Sequence, residues 1–199
     1  MKLIGMLDSP YVRRVAICLK LLKIDFEHQS LSVFSTFEQF RQINPVVKAP
    51  TLITDDGQLL MDSTLIIDYL SQGAAGDRLM PQDAAARLRA YRLLGLALAA
   101  CEKAVQIVYE RKRPVEKQHA PWTERVIGQL LAAFGALEAE LAMPVPQGQF
   151  GNAEVTIAVA WYFTQSMMPE LLIAQDFPRL QAFCAEAEQR PEFIGTPAD

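Results

Sequence analysis

Residues 2–22 read KLIGMLDSPYVRRVAICLKLL, and the change of hydrophobic period within this stretch decides the fold. Lys2–Leu7 is a short, mainly apolar run of the kind that forms a buried strand. Ser9-Pro10 follows as a helix start, because serine is a preferred N-cap and proline fits the first helical position. The next apolar residues recur at helical spacing, so a strand is predicted to pass directly into a helix. They are Val12, Val15, Ala16, Leu19 and Leu22.

Two further elements follow this helix. Phe26–Leu31 alternates weakly between two faces, as a half-buried strand does. Phe34–Ile43 is typical of a short helix, and Asn44-Pro45 ends it, since the residue before a proline avoids the helical conformation. This part of the chain therefore adds a second strand and a second helix.

A hairpin and a third helix complete the first domain. Thr51–Thr54 and Gln58–Met61 flank Asp55-Asp56-Gly57, where the glycine favours a tight turn. Asp62-Ser63 then caps a helix with one apolar face. The resulting order, βαβαββα, predicts an α/β domain over residues 1–75 with one hairpin at the edge of its sheet. The predicted inner face of the third helix consists of Leu65, Ile66, Tyr69 and Leu70.

Helical spacing governs the remainder of the chain. Gly73–Pro81 is rich in Gly, Ala and Asp, and we predict a linker over residues 76–83. No strand pattern recurs after it, and Val155–Phe163 is apolar on nearly all sides, which marks a helix at the centre of a bundle. An all-α helical bundle is therefore predicted over residues 84–199. Its other apolar stripes are Leu88, Tyr91, Leu94, Leu98, Cys101, Val105 and Val108; Val126, Leu130, Ala133, Leu137 and Leu141; and Leu180, Phe183, Cys184 and Ala187.

Composition excludes several classes of protein. The 199 residues are 51% hydrophobic, which is enough to bury a sizeable core. No apolar run reaches the 18 or so residues of a spanning helix, and the N-terminus lacks a signal-peptide cleavage site. The net charge of −4 gives neither half a basic surplus, so a general nucleic-acid binder is not expected. We expect a cytoplasmic globular protein that binds neither membranes nor nucleic acid.

The few cysteines and histidines argue against metal chemistry. Cys18, Cys101 and Cys184 are far apart and lie among apolar neighbours, so buried reduced thiols are expected. His28 and His119 stand near the ends of predicted elements, where a solvated side chain is the usual case. No CxxC motif or Cys/His cluster is present, and we predict no metal site.

Ser9 occupies a position that can bind an anion. A serine there can act simply as a helix cap. Its hydroxyl and the free amides of the first turn can also stabilise an anion, and a thiolate is one. A free thiol with a pKa of about 8.5 is only about 3% ionised at pH 7, and lowering the pKa by about two units makes it mostly thiolate. Both interpretations are open on these residues alone.

The tripeptide Lys48-Ala49-Pro50 stands before the first hairpin strand. A proline here marks a sheet edge or forms a cis bond in a tight turn. A cis bond would leave Ala49 able to offer its N–H and C=O to an extended peptide, as an added strand does. Lys48 would then lie beside the carboxylate of that peptide; alternatively, it is one of several solvated lysines.

Asp62-Ser63 can hold two charges of opposite sign. In a purely structural role, this pair is an ordinary helix cap. Ser63 and the free amides can instead hold an α-carboxylate, whereas Asp62 can face an α-ammonium group. Those two charges make up the head group of an amino acid. If Lys48 meets the opposite carboxylate, Lys48 and Asp62 lie at the two ends of one small peptide.

The order of elements and these motifs resemble the cytosolic glutathione transferases, in particular bacterial members with a serine at the active site. That family has a thioredoxin-like N-terminal domain followed by an all-helical domain. Each motif is short, but their shared order covers the whole chain. The matching residues are Ser9-Pro10-Tyr11-Val12-Arg13-Arg14, Asn44-Pro45-Val46-Val47-Lys48-Ala49-Pro50, Asp62-Ser63 and Arg190-Pro191-Glu192-Phe193.

The resemblance implies a role for several residues. Ser9 would donate a hydrogen bond to the sulfur of glutathione, the co-substrate, and favour its thiolate. Ala49 would pair with the cysteinyl unit through its backbone, with Pro50 in the cis form. Asp62 and Ser63 would hold the γ-glutamyl end. Lys48 would meet the glycine carboxylate, and Tyr11 and Tyr109 would line the site of a small hydrophobic electrophile.

The family also implies an activity and an assembly. Conjugation of the glutathione thiolate to electrophiles, in detoxification, is the leading expectation, and the family forms homodimers. One alternative is a non-catalytic interaction protein of the stringent starvation protein A type, for which Arg111-Lys112-Arg113 would contact the partner. Another is a different glutathione-dependent reaction: isomerisation, dehalogenation or peroxide reduction. The usual capping pair of the buried helix is replaced by Ala153 and Thr156, which predicts a weaker cap, with Asn152 a candidate substitute.

Overall fold

A four-stranded mixed sheet forms the centre of the N-terminal domain in a computed structural model, which describes residues 1–72, 78–143 and 150–198. Strand β1 (Lys2–Ile4) is parallel to β2 (Glu27–Gln29) and antiparallel to β3 (Thr51–Ile53), and β3 pairs antiparallel with β4 (Leu59–Met61). The strand order is β2-β1-β3-β4. The hairpin therefore lies at one edge of the sheet, as the sequence predicts.

Three helices complete this domain and confirm the order βαβαββα. They are α1 (Pro10–Leu21), α2 (Phe37–Ile43) and α3 (Ser63–Leu70). Helix α1 begins at the expected residue, with Pro10 in its first turn and Ser9 as the N-cap. The turn from β1 into α1 thus holds Ser9 at the helix N-terminus.

Helix α2 begins three residues later than the predicted start at Phe34. The Ser32 Oγ accepts hydrogen bonds from the backbone N–H groups of Phe34 and Ser35, each at 3.1 Å. The Thr36 Oγ1 donates to the Ser32 carbonyl at 3.0 Å. These side-chain bonds hold the segment in a turn that competes with a helix. Phe34 is therefore free to leave the helical path and reach the second domain.

The predicted inner face of α3 is partly wrong. Ile66, Ile67 and Leu70 are buried, whereas Leu65 is 65% exposed and Tyr69 38% exposed. Apolar residues cover most of the circumference of this helix, so hydrophobic periodicity alone does not predict which of its faces is buried. Contacts of the domain decide the face, and two large apolar side chains remain on the surface.

The second domain is a bundle of five α-helices within the described residues. They are α4 (Ala84–Arg111), α5 (Ala120–Glu140), α6 (Asn152–Met167), α7 (Pro178–Glu188) and α8 (Pro191–Ile194). Residues 76 and 77 of the predicted linker lie outside the described residues. None of the helices in the described part of the chain is long and apolar enough to cross a membrane.

The buried residues of the bundle confirm that a buried helix lies at its centre, and they show that the predicted buried face of α4 is partly wrong. Helix α6 is buried along most of its length, as expected. In α4, however, Leu88 and Tyr91 are 72% and 57% exposed. Small side chains occupy the buried face instead, and they allow α5 and α6 to pack closely against α4. The buried residues of α4 are Ala90, Leu93, Leu94, Ala97, Ala100, Cys101, Ala104 and Ile107.

The start of α6 depends on a close backbone approach. A Cβ atom on Gly151 would lie 2.4 Å from the Leu79 carbonyl oxygen, and the Asn152 N–H donates to that oxygen at 2.9 Å. The Glu154 carboxylate accepts a bond from the Gly151 N–H at 3.0 Å. Gly151 is thus the N-cap residue, and the expectation that Asn152 would replace the cap is wrong, since its side chain binds elsewhere.

Arg13 joins α1 to the C-terminal part of the chain. Its guanidinium forms two hydrogen bonds with the Glu188 carboxylate, at 2.7 and 2.6 Å, and its Nε donates to the Thr196 carbonyl at 2.9 Å. The same group lies 4.7 Å from the centre of the Tyr162 ring and 5.5 Å from that of Phe193. The motif near the C-terminus therefore packs against the motif that opens α1.

Candidate functional site

A cavity of about 500 Å³ lies between the two domains. The loop after β1, the start of α1 and the segment before β3 form one side of it. The ends of α4 and α6 and the turn after β2 form the other. Most of its lining residues are Ser9, Tyr11, Phe34, Lys48, Ala49, Val105, Val108, Tyr109, Lys112, Phe163 and Met167.

Ser9 lines this cavity, and its hydroxyl has no hydrogen-bond partner among the described residues. It is the N-cap of α1, yet its side chain makes no capping hydrogen bond. Its carbonyl accepts the N–H groups of Val12 and Arg13, and Pro10 has no N–H. Of the first helical amides, that of Tyr11 is the one without a partner among the described residues. A hydroxyl and an amide at a helix N-terminus are suited to an anion.

The segment before β3 offers a free peptide group. The Ala49–Pro50 bond is cis, as the family resemblance implies. The Thr51 Oγ1 donates to the Lys48 carbonyl at 2.7 Å, but no bond joins the N–H or C=O of Ala49 to another described residue. Val47, just before, has a φ of 52°, which is uncommon for a β-branched residue. An extended peptide in the cavity could pair with Ala49.

Asp62 and Ser63 are not among the residues that line the cavity. Asp62 adopts a φ of 74°, and its carboxylate accepts the Thr64 N–H at 2.9 Å at the start of α3. The Lys48 Nζ lies 3.8 Å from the second carboxylate oxygen of Asp62. Without a ligand these two charges therefore lie side by side, and their placement at the two ends of a bound peptide stays a prediction.

Arg14 is a part of this site that the sequence analysis gave no role. It is fully buried, and within the described residues its guanidinium donates hydrogen bonds to neutral oxygens alone. The Nη1 donates to the Ser63 Oγ at 3.0 Å and the Thr64 Oγ1 at 3.2 Å. The other nitrogens donate to Asn152 Oδ1 at 2.8 Å and Thr156 Oγ1 at 3.2 Å. Burial lowers the pKa of Arg14. The start of α3 thus receives a buried cation from α1.

The far end of the cavity is apolar and aromatic. The rings of Phe34 and Tyr109 lie 5.3 Å apart at an angle of 52°. The Lys112 Nζ stands 3.7 Å from the centre of the Phe34 ring. Tyr11, two residues after Ser9 in the sequence, lines the same cavity. Burial, with smaller contributions from Cys101 and Glu102, raises the pKa of Tyr11 well above its ordinary value, so the phenol stays neutral.

The three thiols do not belong to the site. Cys18, Cys101 and Cys184 are buried and free, as expected. Burial raises the pKa of Cys18 and of Cys101 to about 12, and that of Cys184 well above its ordinary value. These groups are therefore protonated at neutral pH and poor nucleophiles. Among the described residues, no group of three or more His, Cys, Asp or Glu side chains could hold a metal ion.

Comparison with known proteins places these features in a family. Residues 3–78 match the family model described as the N-terminal domain of glutathione S-transferases. An uncharacterized GST-like protein of Escherichia coli K12, YibF, is 30% identical over 118 residues, which are 59% of this chain and 58% of that protein. The alignment thus spans less than two thirds of this curated relative.

Solved structures match along nearly the whole chain. A glutathione S-transferase from Methylobacterium radiotolerans, in complex with glutathione sulfonate, has a TM-score of 0.88 at 25% identity, over 98% of this chain and 93% of that one. A glutathione transferase family member from Pseudomonas fluorescens, with bound S-(propanoic acid)-glutathione, has a TM-score of 0.79 at 33% identity, over 98% of both chains. The thioredoxin-like domain, the helical domain and this full-length likeness together establish that the chain belongs to the glutathione S-transferase family.

Proposed function

We propose that this protein is a glutathione transferase that conjugates the thiolate of glutathione to small electrophiles. One observation carries the proposal: the Ser9 hydroxyl, unbonded to its own helix, faces a cavity that also exposes the free peptide group of Ala49. The first group suits a thiolate, and the second suits the peptide that carries it. The glutathione ligands of the two structural neighbours support the same conclusion.

In this proposal the chain binds, orients and ionises its co-substrate. Ala49 pairs with the cysteinyl unit and fixes the sulfur at the N-terminus of α1. Ser9 donates a hydrogen bond to the sulfur, so the thiol proton passes to solvent and the anion remains. The apolar end of the cavity then holds the electrophile beside the thiolate, and the chain contributes mainly proximity and a prepared anion site.

Asp62 and Ser63 bind the γ-glutamyl end. The carboxylate of Asp62 faces the ammonium group, and Ser63, which accepts a bond from Arg14, donates its own hydroxyl proton to the ligand carboxylate. Lys48 lies 3.8 Å from Asp62. This ion pair is half exposed and hence weak, so it can open while Lys48 turns toward the glycine carboxylate.

The first test combines turnover with binding. The wild-type protein should conjugate glutathione to chlorodinitrobenzene above the uncatalysed rate. Asp62→Asn keeps the cap and tolerates the positive φ but removes the charge, so calorimetry should show a Kd for glutathione raised about 10-fold, the equivalent of one charge-assisted hydrogen bond. The Kd for an analogue lacking the α-amino group should change less than about twofold, since that interaction is already absent.

Asp68→Asn is the matched control, because Asp68 is an exposed residue of the same helix that does not line the cavity. It should leave both dissociation constants unchanged. A wild-type protein that neither binds glutathione nor conjugates it would overturn the proposed function. Equal losses for glutathione and its desamino analogue would show that Asp62 acts through the fold and not through the ammonium group.

The proposed function includes a homodimer, in which the N-terminal domain of one copy packs on the helical domain of the other. The support lies in apolar side chains on the surface of both domains. Leu65 and Tyr69 of α3 are 65% and 38% exposed, and Leu88 and Tyr91 of α4 are 72% and 57% exposed. Apolar surface of this kind commonly marks an interaction site.

Leu65→Glu is expected to dissociate the dimer, because it buries a charge in an apolar contact. We expect the dimer Kd, measured by sedimentation, to rise about 10-fold or more, as for an interface hot spot. Val115→Glu is the control, since Val115 is 83% exposed and belongs to neither helix. A wild-type protein that sediments as a monomer at all concentrations contradicts this assembly.

A further inference from the structure

The charged residues that line the cavity differ in the charged groups that lie near them. Asp8, Lys48 and Lys112 are its charged lining residues within the described chain. Lys48 lies 3.8 Å from Asp62. Asp8 directly precedes Ser9, so a second anion at that end would meet a like charge. Lys112 stands at the opposite, apolar end, and no carboxylate in the described part of the chain pairs with it.

The neighbours of Lys112 make this contrast clear. Arg111 forms an ion pair with Glu170 at 2.8 Å, and Arg113 forms one with Glu110 at 3.1 Å. Two members of the basic run at the end of α4 are thus paired within the chain. The central member is turned away from these carboxylates and reaches the rim of the cavity.

An aromatic ring holds the ammonium group of Lys112 in place. The Nζ lies 3.7 Å from the centre of the Phe34 ring, and that ring packs against Tyr109. The ring occupies one side of the ammonium group, so N–H donors of Lys112 remain available to a carboxylate. Lys112 can therefore take an incoming carboxylate without losing another ion pair.

We propose that the apolar end of the cavity receives electrophiles that combine an aromatic or other apolar body with a carboxylate, and that Lys112 binds the carboxylate. This inference rests on the proposed function, because the electrophile must lie beside the glutathione thiolate. The rings of Phe34 and Tyr109 and the side chains of Val105 and Val108 contact the apolar body. Lys112 is a specificity residue in this arrangement and takes no part in bond making.

A chlorodinitrobenzoate with its carboxylate para to chlorine is a suitable probe, and its uncharged amide is the matched comparison. In both reactions the glutathione sulfur forms a bond to the ring carbon, and the bond to chlorine breaks. Chloride leaves with the electron pair, and the thiol proton goes to solvent. Dividing kcat/KM by the uncatalysed rate constant for each compound removes their difference in intrinsic reactivity.

Lys112→Gln should lower this normalised kcat/KM about 5- to 10-fold for the benzoate and less than about twofold for the amide. Lys112→Arg keeps the positive charge and should restore the benzoate rate to within about twofold. Lys117→Gln is the control: it removes the same charge from a nearby exposed lysine that does not line the cavity, and it should change neither rate.

The outcomes separate this inference from the proposed function. If the amide is turned over but Lys112→Gln affects both compounds equally, the carboxylate assignment is wrong and the transferase stands. If chlorodinitrobenzene is conjugated but the benzoate and its amide are not, this inference is wrong and the transferase stands, whereas failure with all three compounds overturns the transferase proposal. Binding provides a second test, in which the dissociation constants of S-(carboxybenzyl)glutathione and its amide are compared. If Lys112→Gln leaves the ratio of these two constants unchanged, the role of Lys112 is overturned.

Discussion

Ser9→Ala is expected to lower kcat for the conjugation of glutathione to chlorodinitrobenzene about 10- to 100-fold, because it removes a hydrogen bond to a charged sulfur. The Kd for glutathione should change less than about threefold, since the neutral thiol gains little from that bond. Stability should fall by less than about 0.5 kcal/mol, because the side chain makes no capping bond to lose.

The pH dependence of the same variant identifies the group that acts. A donor to the thiolate lowers the pKa of the bound thiol, so activity rises with pH through a midpoint below the value of about 8.5 for a free thiol. Ser9→Ala should move that midpoint upward toward the free value, as measured by kcat/KM and by the ultraviolet absorbance of the bound thiolate.

Tyr11→Phe is the decisive comparison for Ser9. Tyr11 lines the same cavity, and its phenol stays neutral at physiological pH because burial raises its pKa. It is thus the other hydroxyl that could donate to the sulfur. If Tyr11→Phe shifts the midpoint and Ser9→Ala does not, the phenol is the donor and the assignment to Ser9 is wrong.

The sequence was sufficient to predict the order of the strands and helices, but not which face of each helix is buried. The N-cap at Ser9 and the hairpin glycine Gly57 are local signals, and the elements they begin or join lie where expected. Leu65, Tyr69, Leu88 and Tyr91 are exposed instead of buried. Their helices carry apolar or small residues on several sides, and only packing against neighbouring elements decides which side is inside.

Some residues of the candidate site could likewise be predicted from the sequence, and others could not. Ser9, Lys48 and Ala49 could be singled out because each stands at an element boundary with a chemical reason to be there. Phe34 and Lys112 could not, because their contact joins a turn after β2 to the end of α4. One available signal was the serine-rich segment before α2, whose side-chain bonds to the backbone favour a turn over a helix.

Arg14 shows a further limit of local signals. A pair of arginines in an amphipathic helix is ordinarily solvated, yet both Arg13 and Arg14 are buried. Their partners lie in the second domain: Glu188 for Arg13, and Asn152 and Thr156 for Arg14. Only the packing of α1 against α6 and α8, beside the end of α7, brings these groups together, so the sequence of α1 alone did not reveal them.

Arg14→Met is expected to lower the free energy of unfolding by about 2–4 kcal/mol, because the oxygens that now accept bonds from a buried cation lose their donors. It should also raise the Kd for glutathione about 10-fold. The guanidinium holds the Ser63 hydroxyl at 3.0 Å and places positive charge behind the start of α3, where the γ-glutamyl carboxylate binds in the proposed function. Chemical denaturation and calorimetry measure the two effects.

Arg13→Met separates the two effects of Arg14. Arg13 is also buried in α1, and its loss breaks the bond pair to Glu188, so a comparable loss of stability is expected. Arg13 contacts the C-terminal segment and does not line the cavity, and its removal should change the Kd for glutathione less than about twofold. Arg14→Lys keeps the charge but not the fork of donors, and it should recover affinity more than stability. If Arg13→Met weakens glutathione binding as much as Arg14→Met does, Arg14 acts on the ligand through global stability alone, and the cation behind Ser63 has no separate role in the site.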